Sequence, residues 1–195
     1  LISSSAIGWY GPDPVIPNPS PFKETDPPYH DFLGTTCKLW EDGVDEVAQS
    51  GIRVVKLRTG IVLSREGGAL KEFIKPLYFD VAAILGNGRQ EISWIHIEDL
   101  VNGYIAAIEN EKMAGVYNAV APFPVSNREL VLQLAKIRGK WYLPFSVPSF
   151  LLKIILGEMS IEVLKSATVS CDKLSGTGFG FRYPGIREAI TDLLT

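Results

Sequence analysis

The chain has 195 residues, 46% of them hydrophobic and 21% charged, with a formal net charge of -3. That is enough for one sizeable core, or a core with a small lobe, and the weak negative charge with scattered Lys and Arg gives no electrostatic reason to expect nucleic acid. No apolar run reaches membrane-spanning length, so no membrane is expected. Cys37 and Cys171 are too few for a disulfide framework and lack metal-ligand spacing, so a reducing cytoplasm and no metal are expected.

Leu1 to Ile7 reads as the end of a buried strand. Gly8 to Pro28 is broken by repeated proline and reads as a long irregular loop, a length usually kept for lids or pocket walls. Asp31 to Gln49 reads as a helix, because Phe32, Leu33, Trp40, Val44 and Val47 recur at three- and four-residue steps. Gly51 stops it. Ile52 to Leu57 reads as a strand, Thr59 to Gly68 as a loop and Ala69 to Leu77 as a helix. Ile92 to Ile97 reads as a strand. Glu98 to Glu109 follows as a helix with acidic residues in its first turn, where the macrodipole favours them. Val116 to Val120 reads as a strand, and Ser126-Asn-Arg-Glu129 as a capping box opening a helix to about Ile137. Strands alternating with helices predict an α/β fold with a parallel sheet over residues 1–138. From Gly139 the pattern changes. Apolar helices at Phe150–Leu156 and Ile161–Ala167, a turn-rich Gly176–Phe181 and a last helix from about Gly185 predict a small helical lobe, residues 139–195.

Two stretches carry chemistry or identity. In Ser3-Ser-Ser-Ala-Ile-Gly-Trp-Tyr-Gly11, hydroxyls at a strand's carboxyl end precede a glycine turn, where open α/β sheets bind ligands. The plain alternative is a serine-rich strand end satisfying its own backbone. In Gly86-Asn-Gly-Arg-Gln-Glu-Ile-Ser-Trp-Ile-His-Ile-Glu-Asp-Leu100, a glycine turn leads through a strand into a helix opened by Glu98 and Asp99. With Gly115-Val-Tyr-Asn118 and Arg182-Tyr-Pro184, this stretch resembles the extended short-chain dehydrogenase/reductases, the nucleotide-sugar epimerase and dehydratase group. Trp94 narrows the resemblance to the atypical epimerase-like branch, sometimes labelled cell-division inhibitor.

The resemblance implies roles residue by residue. Ser5 would orient a substrate's reacting oxygen, with Tyr10 as a candidate catalytic phenol; Tyr29 is the other phenol the loop could supply. Ser3, Ser4, Thr59, Gly60 and Ile61 would lie by the cofactor, although Gly60 could equally mark a strand exit with an unusual backbone angle. Arg89, Trp94 and His96 would face substrate. His96, among apolar neighbours, also reads as a satisfied structural histidine, and Gly157-Glu-Met159 as packing. The family's catalytic Tyr falls on Leu33, and the Lys four residues later, which lowers the tyrosine pKa, falls on Cys37. The family's diphosphate-holding Arg falls on Ile92.

The fold implied is the carboxyl half of a Rossmann-like parallel sheet with its helical lobe. The first strands and the phosphate loop are expected to be absent, roughly 90 residues at about 30 per βαβ unit. The function implied is that of an epimerase- or reductase-like protein using NADP or NAD on a small-molecule substrate, with nucleotide sugars as candidates. The alternative, favoured by loss of the Tyr/Lys pair, is a non-catalytic dinucleotide-binding sensor or partner-binding module. This chain alone is expected to hold no dinucleotide tightly, and to self-associate through its cut sheet edge.

Overall fold

The computed structural model describes residues 1–157 and 159–195. Strand β1 (Ile2–Ala6) ends in a 3-10 turn, and the irregular stretch beyond it reaches Asp31, whose carboxylate caps helix α1 (Phe32–Ala48) by accepting the Gly34 amide. Gly60 alone separates β2 (Val55–Thr59) from β3 (Ile61–Leu63). Then come α2 (Ala69–Ile74), β4 (Val81–Leu85), β5 (Glu91–Ile92), β6 (Trp94–His96), α3 (Ile97–Glu109), β7 (Gly115–Ala119) and β8 (Val125–Ser126). Ser126 caps α4 (Asn127–Arg138) by accepting the Glu129 amide, as its sequence signature predicts. The chain closes with β9 (Leu143–Val147), α5 (Ser149–Leu156), α6 (Met159–Leu164), α7 (Asp172–Ser175) and α8 (Ile186–Leu194). Of Gly157-Glu-Met159, Glu158 lies outside the described residues.

The principal sheet is parallel with the order β1-β2-β7. β3 pairs with β6 and β4 with β9, both parallel, while β5 and β8 form a short antiparallel pair. β1 is an edge of its sheet.

Several boundaries differ from the sequence reading. β2 starts later and runs to Thr59, and β3 occupies what reads as loop. The Ile92–Ile97 strand divides at Ser93, whose carbonyl turns aside to take the Ile61 amide. β4 and β9 were not expected. Val81-Ala-Ala-Ile-Leu85 is an apolar run bounded by Asp80 at φ 56° and Gly86 at φ 61°, the signal of a short buried strand. β9 carries Pro144, a residue that argues against a strand except at an edge.

The two faces of the principal sheet differ sharply. Val55 and Leu57 point into a cluster with Ile95, Ala107, Met113 and Leu174, beneath α3. Lys56 and Arg58, alternating with them, point the other way and meet Glu41 and Asp45 of α1. This polar layer reverses α1. Its sheet-facing positions are Gly34, Cys37 and Glu41, whereas Phe32 and Trp40, two of the apolar residues that reveal the helix, are 82% and 57% exposed. A second core joins Leu63, Trp94, Leu130, Leu134, Ile186 and Ile190, so that α4 and α8 pack together across residue 139.

Candidate functional site

Register places Ser5, Arg58 and Asn118 side by side on β1, β2 and β7. Residues in one rung of a sheet share a face, and here that face holds a closed hydrogen-bond network. The Ser5 hydroxyl donates to Glu41 Oε1 at 2.7 Å. Arg58 grips both oxygens of Glu41, Nε at 2.8 Å and Nη2 at 3.0 Å, the bidentate geometry that makes such pairs strong. Arg58 Nη1 donates to the Tyr10 hydroxyl at 3.0 Å, and that hydroxyl donates to Asn118 Oδ1 at 2.7 Å. The Asn118 amide donates to Glu24 Oε1 from the loop. The guanidinium lies 3.6 Å from the Trp9 ring centroid, a cation–π contact. Tyr10 is 1% exposed and stacks on Phe22. Burial raises its pKa to about 12 despite the opposing Arg58 charge, so the phenol stays protonated near neutral pH.

The positions that take the family's Tyr and Lys are apolar contacts. Leu33 packs against Gly8. The Cys37 thiol points at the Ala6 carbonyl, 3.7 Å away, and burial raises its pKa. Ser4 and Ala6 are exposed at the carboxyl end of β1, while Ser3, Thr59 and Gly60 are half-buried and Ile61 is exposed. Gly60 owes its identity to close approach rather than to an unusual backbone angle: a Cβ there would lie 2.6 Å from the Ser93 carbonyl oxygen and 2.8 Å from Val120. Backbone cannot yield cheaply, so Gly60→Ala is expected to lower stability by about 1–3 kcal/mol, as overpacked cores do. A urea midpoint within error of the parent would show that the β2–β3 exit relaxes freely.

The residues expected at the substrate side have other surroundings. The Trp94 ring is 0% exposed in the core with its N–H on the Phe123 carbonyl, 2.9 Å away. His96 caps α3: Nδ1 accepts the Glu98 amide at 3.1 Å. The ring must therefore carry its proton on Nε2, which lies 3.4 Å from Asp192 without hydrogen-bond geometry. Burial holds His96 below its usual pKa against the pull of Asp192, consistent with that neutral form. Arg89 is exposed on the Asn87 turn. Two of the motifs that carry the family resemblance, Gly86–Leu100 and Arg182-Tyr-Pro184, meet here. Asp99, fully buried, accepts the amides of Arg182 and Tyr183 at 2.7 and 2.9 Å, and Glu98 pairs with Arg182.

The loop beyond Tyr10 is well anchored. Asp13 accepts from Asn18, from Ser166 Oγ and from both the amide and hydroxyl of Thr168. Phe22 is bridged to Val169 as a strand would be. None of Glu41, Arg58, Asn118, Glu24 and Asp13 was given a site role in the sequence reading. The signal for Arg58 was present: Lys56 and Arg58 alternate with Val55 and Leu57, which in a strand demands a polar partner layer. Among the described residues no group of three or more His, Cys, Asp or Glu is placed to hold a metal, and no helix is long and apolar enough to cross a membrane.

A parallel α/β sheet followed by helices is the Rossmann-like architecture also found in epimerase family proteins. Residues 147–193 match a family model described as a domain of unknown function, DUF1731. The chain is 36% identical over its whole length to an epimerase family protein of Staphylococcus aureus, covering 64% of it. It is equally similar to an Arabidopsis thaliana chloroplastic homologue of the epimerase family protein SDR39U1, covering 54% of that protein. The human epimerase family protein SDR39U1, solved with NADPH, superposes with a TM-score of 0.85 at 26% identity, over 98% of this chain and 64% of that one. A nucleoside-diphosphate sugar epimerase of Corynebacterium glutamicum gives 0.76 at 31% identity, over 99% of this chain and 37% of that one. The chain is thus similar along its whole length to epimerase family proteins, and it spans 64% of the length of the Staphylococcus relative.

Proposed function

We propose that this chain supplies the nicotinamide- and substrate-side part of an NAD(P)-binding, epimerase-like protein acting on a small molecule. The carrying observation is the open carboxyl end of β1 and β2, with Ser4 and Ala6 exposed beside Thr59 and Gly60, on a fold shared with an NADPH-bound relative. The small hydroxyl side chains of Ser4 and Thr59 suit the carboxamide at the nicotinamide end of a dinucleotide, while the Gly60 and Ile61 amides are already given to the Ala119 and Ser93 carbonyls. The pyrophosphate needs amides of a glycine-rich loop at a helix N-terminus, and no such loop occurs in this sequence. Bound dinucleotide would supply hydride chemistry. Ser5 and Tyr10 would act through their network, Ser5 as the hydroxyl nearest the strand end and Tyr10 by holding Arg58.

The second reading is binding without turnover, favoured by Leu33 and Cys37 at the proton-relay positions. Titrating the full-length protein with NADPH and NADH, then incubating it with cofactor and sugar nucleotides, separates the two. Full-length protein is expected to bind one dinucleotide with Kd below about 10 μM, near -7 kcal/mol, and the 195-residue chain alone much more weakly. Equal affinity would show that the dinucleotide site is built from these residues.

A further inference from the structure

His96 is 1% exposed and sits where β6 hands over to α3. Its Nδ1 accepts the Glu98 amide and so caps the helix. Its Nε2 is buried and, among the described residues, has no hydrogen-bond partner. Asp192 of α8 lies 3.4 Å from that nitrogen. The Tyr183 ring lies against the imidazole, centroids 3.9 Å apart, and its hydroxyl donates to the other oxygen of Asp192 at 2.8 Å. The remaining charged groups facing the ring and its partner come from three elements. Glu98 and Asp99 are in the first turn of α3, and Arg182 precedes α8 on the Glu98 carboxylate. Arg65, after β3, donates to the Asp192 main-chain carbonyl.

A neutral imidazole has one nitrogen lone pair to offer, and here the Glu98 amide takes it. A second proton can go only onto that same Nδ1, where it would meet the Glu98 N–H, donor against donor. The proton and the α3 cap therefore exclude one another. Burial opposes the charge as well, and the positive end of the α3 dipole lies at the ring. Once the cap breaks, the balance reverses. An imidazolium free to turn has Asp192, Glu98 and Asp99 beside it, three carboxylates against the two arginines, and both of its N–H groups can donate. The cap also adjoins the tie to the C-terminal segment, since Asp99 holds the Arg182 and Tyr183 amides from the same turn as Glu98.

We propose that His96 is a proton-operated latch. Neutral, it caps α3 and keeps the segment from Arg182 to Leu194 closed on the core that α8 shares with α4; protonated, it gives up the cap, and that segment opens ahead of the rest of the protein. The sign follows from His96 being held, by burial, below the ordinary histidine value of 6.5. The closed form keeps its full stability above about pH 6.5 and loses it as pH falls below that, toward the closed-form value.

The test is residue-resolved amide hydrogen exchange of the full-length protein at about pH 7.5 and about pH 5.5, a window in which histidine is the ordinary side chain that changes charge. Rates are compared as protection factors, so that the chemical pH dependence of exchange cancels. Protection at Glu98, Arg182 and Tyr183 is expected to fall roughly 5- to 10-fold, the linkage of one decade of proton concentration below pH 6.5. Leu57 in β2 should hold within about 2-fold, as a separate opening unit does. His96→Asn keeps an acceptor at the cap and removes the titration, so protection at the three amides should be the same at both pH values. The variant also separates His96 from His30, exposed in the loop, and from Glu91, whose pKa burial raises. NMR of the ring nitrogens in the parent gives a readout that does not depend on the variant folding: at the higher pH the proton should sit on Nε2. Equal protection at the two pH values in the parent, an equal fall at Leu57, a fall that persists in His96→Asn, or a neutral ring protonated on Nδ1 would each overturn the proposal.

Discussion

Arg58→Met is expected to destabilise the protein by about 3–5 kcal/mol, the cost of leaving one member of a buried ion pair alone. Arg58 is 2% exposed and Glu41 is equally buried. Removing the guanidinium leaves the Glu41 carboxylate in the interior with Ser5 and a lysine 3.6 Å away, and strips the Tyr10 hydroxyl of its donor. Lys56 is shared with Asp45, so it softens the loss without cancelling it. Typical domain stability is only about 5–15 kcal/mol, so the variant should melt early or fail to accumulate. The double variant Arg58→Met with Glu41→Leu is expected to recover most of the loss, because an apolar pair of similar volume replaces a buried ion pair at little net cost. Urea denaturation of the two variants decides it. A single-variant loss below about 1 kcal/mol, the range of exposed pairs, would mean that water reaches the pair.

Asp99→Ala is the second large effect. The carboxylate accepts two backbone amides that have no other partner assigned, those of Arg182 and Tyr183. Each buried donor left unpaired costs about 1–3 kcal/mol, so the variant should lose about 2–6 kcal/mol. Asp99→Asn keeps one acceptor and turns the other toward a donor, and should fall between parent and Asp99→Ala. Amide hydrogen exchange supplies the local readout: protection at Arg182 and Tyr183 should drop further than protection at Leu57 in β2. Equal loss everywhere would show that Asp99 serves global stability and not a specific tie between the start of α3 and the segment before α8.

That tie also marks how far the sequence could be read. His96-Ile-Glu-Asp99 and Arg182-Tyr-Pro184 stand out as motifs, and the acid in the first turn of α3 is explained locally by the macrodipole. Nothing in either motif says that one holds the other, because the pairing spans more than eighty residues and exists only once β6 and α8 share a core. Trp94 and His96 stand in the same stretch, and their motif suggested ligand contact. Their surroundings are core packing and a helix cap, which depend on neighbours the motif does not contain.

Helix α1 shows the division most clearly. Its period of three and four, its Asp31 cap and its stop near Gly51 are local properties, so composition and spacing determine that a helix forms and roughly where. Which face it buries is not local. The sheet beneath it presents Ser5, Lys56 and Arg58, so the helix turns Glu41 inward and leaves Phe32 and Trp40 to solvent. The α/β alternation, the Ser126 cap and the acidic start of α3 were likewise legible, since each rests on residues within one turn or one strand. The Ser5–Glu41–Arg58–Tyr10–Asn118 network and the anchoring of the loop by Asp13 were not. They join strands, helix and loop through register and through charge buried away from water, and only the tertiary structure brings those groups within hydrogen-bond reach.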